Sequence, residues 1–419
     1  MAREGQAELQ LATEQLNAAV ARFNNEPAAD EAVDQGQRRD IIEAAKRIIE
    51  SVEGPAEQWV ESAGSLAVIA ANRLFWEWNV FESIPLDGSS ISYADLATKV
   101  DAELALLTRI GGLLVSSGVL KQIGPDHIAH TPRSKIFVEE NPAGAVYMLN
   151  WDNGLQMYAQ LPKYFEQYGR KEPEAMTHIP LTFSHGHPEI GYYEMIARDP
   201  AVTRRFLQGM AGIEARTPVV GIYDFSWVVS LVQHEHHELS VEAHMQRPLF
   251  VDIGGGPGKA IKLILAEYPA LPAERFYLQD REGVIKANQA LNDPALRGVQ
   301  YMAIDFHVAQ PLKGALIYFF RRVLHNYADP VTVNILRHVA EAMAPDSKLL
   351  LQEDIAENPP NRESAWLDLL MLGFGGKQRT LDNWERVLGA AGLEIASIAS
   401  GKGPWKSLRV IECVKKTVV

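Results

Sequence analysis

The sequence predicts an α/β protein. A Rossmann-like, doubly wound and mostly parallel sheet fills its second half, preceded by a helical, winged-helix-containing N-terminal region. Three observations predict this. From residue 248 onward, apolar strands alternate with amphipathic helices, the pattern of a parallel sheet. The first of those strands runs into a glycine-rich turn, "IGGGPGKA", and then a helix. Before residue 245 the apolar residues recur at helical spacing instead, interrupted by one helix–turn–helix–hairpin pattern.

At 419 residues the chain is long enough for two or three domains. We expect a helical dimerisation domain over 1–145, a helical linker contributing to a substrate pocket over 146–245, and a nucleotide-type domain over 246–419. The formal charge of -13 argues against a general attraction to nucleic acid or anionic membrane. A single cysteine, Cys413, excludes an internal disulfide and a cysteine-built zinc site, and fits a reducing compartment. No apolar run approaches the ~20 residues of a membrane span. The start, "MAREGQAELQLATEQ", has acidic residues and no apolar core of a signal peptide. A cytoplasmic protein is expected.

Residues 1 to about 60 are Ala- and Glu-rich and helical in period, with a break at "NNEPAADEAVDQG"; "SLAVIAANRLFWEWNVFESIP" is then strongly apolar at helical spacing. In "ISYADLATKVDAELALLTRIGGLLVSSGVLKQIGPDHIAHTP", Ser92 with Asp95 opens one helix, Asp101 a second, and a hairpin turns at "GPDH". That order suggests a winged helix. A DNA-reading second helix needs Arg and Lys aimed at phosphates and bases. "DAELALLTRIGGLLVSSGVL" has one Arg and is mostly apolar, so packing against protein, in a dimer, is the expectation.

From about 140 to 245 the chain is helical and rich in aromatics and methionines, most of them core; Trp151, Met157, Phe183 and Met210, with Met371 further on, are candidates for a substrate pocket. His234, His236 and His237 crowd together in "VQHEHHELSVEAH", but flanking glutamates favour a solvated connection over a metal site, and no metal is expected.

In "PLFVDIGGGPGKAIKLILAEYP", Asp252 ends the strand and Gly254, Gly256 and Gly258 let the backbone approach a ligand closely. The spacing is Gly-x-Gly-x-Gly, and Lys259 stands where the dinucleotide fingerprint wants a small residue. "ERFYLQD" is a second strand, ending in Asp280, where a carboxylate can hold both ribose hydroxyls. "VQYMAIDF" is a third, ending in Asp305 and Phe306, an acid and an aromatic suited to adenine. "GALIYFF" is the fourth, running into "RRVLHNYAD". Strand ends carrying a glycine turn, an acid and another acid imply an adenosine site.

These stretches resemble the class I S-adenosylmethionine-dependent O-methyltransferases of the plant caffeate type and their fungal secondary-metabolism relatives. The resemblance runs from about residue 60 to the end. It is carried by "VDIGGGPG", "YLQD", "RRVLHNYAD", "LLLQEDIAENPP", "DLLMLGFGGKQRTLDNWERVLGAAGLEI" and "SLRVIECVK". It implies that S-adenosylmethionine lies over the glycine turn, with Asp280 and its neighbour Arg281 at the ribose, Asp305 and Phe306 at the adenine, and Arg321 and Tyr327 flanking it. It implies that His325 is the general base for a phenol or enol hydroxyl and that Glu353 orients it. A homodimer acting on a small natural product is implied too. A reference pKa of roughly 6.5 leaves imidazole mostly neutral at pH 7, as a base requires.

Two positions depart from the pattern. Gln378 in "GGKQRT" replaces a second glutamate, and Asn326 replaces the aspartate after the histidine. Each amide keeps the shape of the carboxylate and removes its charge, weakening His325 as a base; ~1 pKa unit is worth ~1.4 kcal/mol. Ile304 stands where fungal relatives frequently carry histidine. The departures support a second reading, since some fungal members of this fold are pericyclases. Those accelerate dehydration, Diels–Alder, hetero-Diels–Alder or Alder-ene steps on a polyketide–peptide intermediate without methyl transfer. Such steps need a shaped apolar cleft and a few donors rather than a strong base; Arg322, Arg379 and Lys377 are candidate donors. A non-catalytic binding or regulatory protein is the third reading.

Overall fold

A computed structural model describes residues 2–25, 31–138, 141–238, 247–401, 405 and 407–416. The chain divides into two compact units: Met1–Tyr158 with Ile196–Thr217, and Ala159–Met195 with Pro218–Val419. The segment 146–245, expected as one linker, is thus shared between them.

The first unit begins with the helices Ala2–Asn25 and Glu31–Val52, which pack on each other. Pro55 starts a third, Pro55–Glu77, where its missing N–H costs nothing. Strand β1 (Ile91–Ser92) leads into helix Tyr93–Lys99. Its cap is reciprocal: Ser92 Oγ accepts the Asp95 N–H at 3.0 Å and donates to Asp95 Oδ2 at 2.6 Å. Asp101 does not open the next helix as expected. Its φ is +51°, a left-handed turn residue, and Glu103 takes the N-cap position of Leu104–Ser116. Strands β2 (Leu120–Ile123) and β3 (His127–His130) form the hairpin, and β3 also pairs with β1. Phe75, Leu96, Leu107, Leu114 and Ile128 make a core with 0% exposure.

Helix Pro200–Arg216 lies close along Pro142–Leu149. A Cβ on Gly209 would come within 2.1 Å of Leu149, and one on Gly212 within 2.8 Å of the Pro142 carbonyl, so glycine sets the approach. Between 150 and 155 the chain widens into a π-helical turn carrying Trp151 and Asp152. Asp152 ties the unit together by pairing with Arg73 at 3.1 Å and Arg205 at 3.0 Å.

The second unit is built on a seven-stranded sheet of order β6-β5-β4-β7-β8-β10-β9. The strands are β4 (Phe250–Ile253), β5 (Phe276–Asp280), β6 (Gln300–Ala303), β7 (Ile317–Arg321), β8 (Lys348–Asp354), β9 (Leu393–Ser400) and β10 (Leu408–Lys415). All neighbours are parallel except β10, which runs antiparallel to β8 and β9. Both faces are covered, so the first four positions of β7 are apolar: Tyr318 and Phe320 enter one core, Ile317 and Phe319 the other. Chain order reverses between β4 and β7, so a crevice opens at their carboxyl ends. No helix among the described residues is long and apolar enough to cross a membrane. The side chains of His236 and His237 lie outside the described residues; His234 is exposed on helix Ser226–Glu238.

Leu107→Ala is expected to lower the free energy of unfolding by about 2–5 kcal/mol, because a fully buried methyl cluster leaves a cavity. The exposed neighbour Thr108→Ala should stay within about 0.5 kcal/mol. Urea denaturation of the two variants checks the difference.

Candidate functional site

The floor of the crevice is the turn after β4. Gly254, Gly256 and Gly258 all have positive φ (71°, 53° and 72°), which strains any residue with a Cβ. The turn is pinned to β5, since Gly254 N–H donates to the Gln279 carbonyl at 2.8 Å. Gly256 N–H donates to Asp280 Oδ2 at 2.9 Å, and Asn288 Nδ2 donates to the Gly256 carbonyl at 2.7 Å. Beneath it, Asp252 is 1% exposed and its Oδ2 has no hydrogen-bond partner. Burial, with the Asp280 charge nearby, raises its pKa to about 8. A buried acceptor with nothing to accept, under an open glycine turn, fits the cationic amine end of an amino-acid ligand.

The second and third strand ends supply the walls. Asp280 Oδ1 accepts the Arg281 N–H at 2.7 Å, so both carboxylate oxygens are aimed by backbone. Asp305 lies just past β6 and accepts the His307 N–H at 2.9 Å. Phe306 stands edge-on to Tyr327, with ring centres 5.9 Å apart, and His307 lies 5.0 Å from the same ring. Burial raises the Tyr327 phenol far above its ordinary range. Arg321, largely buried beside Arg322, is lowered to about 10. Tyr193, which sequence reasoning missed, completes this box: the Arg281 guanidinium lies 4.7 Å over its ring. Its only signal was the aromatic pair in "GYYEM", whose first member, Tyr192, is 4% exposed and packs on Phe374 at 4.6 Å.

His325 sits in a 3-10 turn just beyond β7 and is 6% exposed. Its Nδ1 lies 3.4 Å from Glu353 Oε2 and 3.3 Å from the Gln378 amide. The Arg322 backbone also hydrogen-bonds to the ring, which favours its protonated form. Glu353 is 0% exposed on β8, and its Oε1 accepts the N–H groups of Val323 and Leu324 at 3.1 and 3.0 Å. Burial raises the Glu353 carboxyl to about 7, against the pull of Arg322. Burial, then Arg322 and Arg379, pushes His325 well below the ordinary imidazole value. Drawn with its nitrogen toward His325, the Gln378 amide leaves its buried Oε1 without a partner. Turning the amide over places Oε1 against an Nδ1–H and removes that orphan; oxygen and nitrogen are interchangeable in such an assignment. In that assignment Nδ1 carries the proton and Nε2 the lone pair.

Asn326 turns away from the imidazole, its Nδ2 donating to the Val323 carbonyl at 3.2 Å. Of the candidate donors, Arg379 is fully committed. It donates to Asp329 at 2.9 Å, to the Leu324 and Tyr327 carbonyls at 3.1 and 2.8 Å, and to Thr332 at 3.1 Å. It fixes the loop that carries His325. Arg322, at φ +54°, pairs with Asp354, and Lys377 with Glu172. None of the three points to a free donor role, because each is neutralised where it stands.

Of the pocket candidates, Trp151, Met157 and Met210 belong to the first unit, and Phe183 and Met371 to the second. Met157 is 0% exposed, a core residue by its burial. Phe183 packs edge-on against Tyr164 and Tyr168. No cluster of metal-ligating side chains occurs among the described residues.

A doubly wound sheet with an acid at successive strand ends and a glycine turn over a buried carboxylate defines a nucleoside-type cofactor enzyme. Residues 170–394 match the O-methyltransferase domain family. Methyltransferase cfoD of Aspergillus candidus is 36% identical over 405 residues, spanning 96% of this chain and 97% of that one. The chain belongs to the O-methyltransferase family, whose cofactor is S-adenosylmethionine. Among solved structures, OxaC in complex with sinefungin and meleagrin superposes with a TM-score of 0.82 at 24% identity, covering 98% of this chain and 99% of that one. LepI in complex with S-adenosylmethionine gives 0.79 at 22%, covering 98% and 100%. At these identities the structures share the fold.

Two outcomes test the electrostatics. Gln378→Glu is expected to raise the His325 pKa by about one unit or more, since a carboxylate at that distance favours imidazolium; a pH titration of its ring signals by NMR reads this. Asp252→Asn is expected to flatten the stability profile. The native carboxyl, with its folded value near 8 above the unfolded one near 3.8, contributes stability at low pH that is lost as pH rises toward 8. The variant should therefore gain most over the parent at pH 8 in thermal melts, and bind S-adenosylmethionine more weakly.

Proposed function

We propose that the chain transfers the methyl group of S-adenosylmethionine to an acidic hydroxyl, phenol or enol, of a small natural product. His325 acts as general base. The observation that carries this is a buried imidazole at the carboxyl end of β7 whose Nδ1 is faced by both Glu353 and Gln378, so Nε2 is the nitrogen we assign to the acceptor. The cofactor supplies an electrophilic methyl carbon. Asp280, Arg281, Asp305, Phe306, Arg321, Tyr193 and Tyr327 are the residues we assign to its adenosine end, and Asp252, Gly254, Gly256 and Gly258 to its amino-acid end. His325 Nε2 would take the hydroxyl proton and leave the acceptor oxygen nucleophilic toward the methyl group that the bound cofactor would supply. Glu353 keeps the proton on Nδ1 and stabilises the imidazolium that forms.

The depressed basicity of His325 also favours a second reading, in which the cleft accelerates a pericyclic step or dehydration and the methyl group stays on the cofactor. A third element is assembly. Trp59, Val60 and Leu66 on helix Pro55–Glu77, with Leu11, Ile42 and Ile49 before it, are exposed apolar residues, which suits a homodimer built on the first unit.

Incubation with radiolabelled S-adenosylmethionine and hydroxylated polyketide or alkaloid acceptors is expected to give labelled ether and S-adenosylhomocysteine. His325→Ala should lower turnover by about 100- to 10,000-fold. A rearranged product of unchanged mass, without S-adenosylhomocysteine, sides with the pericyclase. The acid limb of the rate profile is expected below the roughly 6.5 of free imidazole, because the base keeps its lone pair until its lowered pKa is reached.

A further inference from the structure

A cleft of about 850 Å³ opens in the second unit between the end of helix Gln156–Tyr168 and helix Arg362–Gly373. Ala365, Asp368, Leu369 and Leu372 line it from the second helix, at i, i+3, i+4 and i+7, a single stripe. Leu369 is 44% exposed, so this face is not used in the core, whereas Met371 on the other side is buried. Phe165 stands opposite. The rim is basic, carrying Arg170, Lys171 and Lys377. Lys377 is taken up by Glu172, but the side chains of Arg170 and Lys171 have no hydrogen-bond or ion-pair partner among the described residues. The cleft is also wired to the candidate active site. Asp368 Oδ1 accepts the Gln378 N–H at 2.7 Å, and Lys377 N–H donates to the His325 carbonyl at 3.0 Å.

We propose that this cleft binds an amphipathic organic anion, with its apolar body along the Leu369–Leu372 stripe and its carboxylate or enolate at Arg170 and Lys171. An apolar wall next to two unpaired cations is complementary to that chemistry and to no neutral ligand in particular. The volume suits a natural-product-sized molecule, for which cavities of about 300–1,000 Å³ are usual. The inference rests on the methyl-transfer reading only in taking this ligand to be the acceptor, held by a part of it that does not react. Asp368 is then a positioning residue between ligand and base. An anion seated here would bring its hydroxyl-bearing end toward a weak base, which suffices for an acidic hydroxyl.

The test is equilibrium binding without cofactor, by calorimetry at low salt. The probes are dodecanoate and 2-octanoylcyclohexane-1,3-dione, each beside its neutral methyl ester or enol ether. Each anion is expected to bind about five- to tenfold tighter than its neutral partner, and Arg170→Ala/Lys171→Ala to erase that advantage. The stronger anion identifies the charged group. Leu369→Ser should weaken all four probes alike. Equal binding of anion and ether, or an unchanged double variant, overturns the proposal. So does a double variant that keeps probe binding but shifts the monomer–dimer equilibrium in light scattering, which would give this face to a second copy. S-adenosylmethionine affinity in the double variant is expected to stay within about twofold, as both residues are exposed and outside its site. Failure of methyl transfer shows separately, as absent S-adenosylhomocysteine with probe binding intact.

Discussion

A Cβ on residue 376 would stand 2.0 Å from the His325 carbonyl oxygen and 2.9 Å from the Asn326 Cα. Only glycine permits this approach, and the rest of the candidate site follows from it. With the 376–379 backbone laid against the turn after β7, Lys377 N–H reaches the His325 carbonyl. Gln378 is thereby aimed at Nδ1, and Arg379 is placed where one guanidinium holds the Leu324 and Tyr327 carbonyls. The imidazole is fixed from its backbone as much as from its ring. That one glycine therefore sets the position of the loop that holds the ring.

Burial sets the charges around that ring. Glu353 and His325 are both desolvated, and desolvation moves them oppositely, raising the acid to about 7 and lowering the base. Both shifts favour the neutral acid–imidazole contact over the ion pair. The two backbone N–H groups on Glu353 Oε1 favour the ionised acid. Arg322 and Arg379 do the same for Glu353 and the opposite for His325. Each of those arginines carries its own aspartate, Asp354 or Asp329, so the local field is set by orientation more than by net charge.

The sheet was legible because its strands are apolar runs ending in chemistry-bearing residues: "FVDI", "FYLQD", "IYFF" and "KLLLQE" became β4, β5, β7 and β8. The N-cap at Ser92 was legible because capping is local, and Asp101 misled because a left-handed turn residue and a cap share a composition. His325, Glu353 and Gln378 were readable from motif order, and the structure brings them within 3.4 Å. What the sequence hid were pairings across long separations. Tyr193 meets Arg281 nearly ninety positions on, and Arg379 bonds to a loop and the helix after it some fifty residues earlier. Unit membership was hidden too, because the first unit takes back residues 196–217 after the chain has entered the second.

The amide at 378 gains a physical reason from this setting. A carboxylate there would stand on the same nitrogen as Glu353, whose acid is already raised by burial, and two buried like charges on one imidazole raise each other further. Glutamine keeps the acceptor for Nδ1–H and avoids that cost. The loss is basicity at Nε2, and it is tolerable only if the acceptor gives up its proton readily. An aliphatic alcohol makes a poor match for a base held below 6.5, whereas a phenol or enol acidified by its substituents makes a better one. The neutral amide and the basic rim at Arg170 and Lys171 therefore lead, by separate routes, toward an acceptor that carries its own acidity.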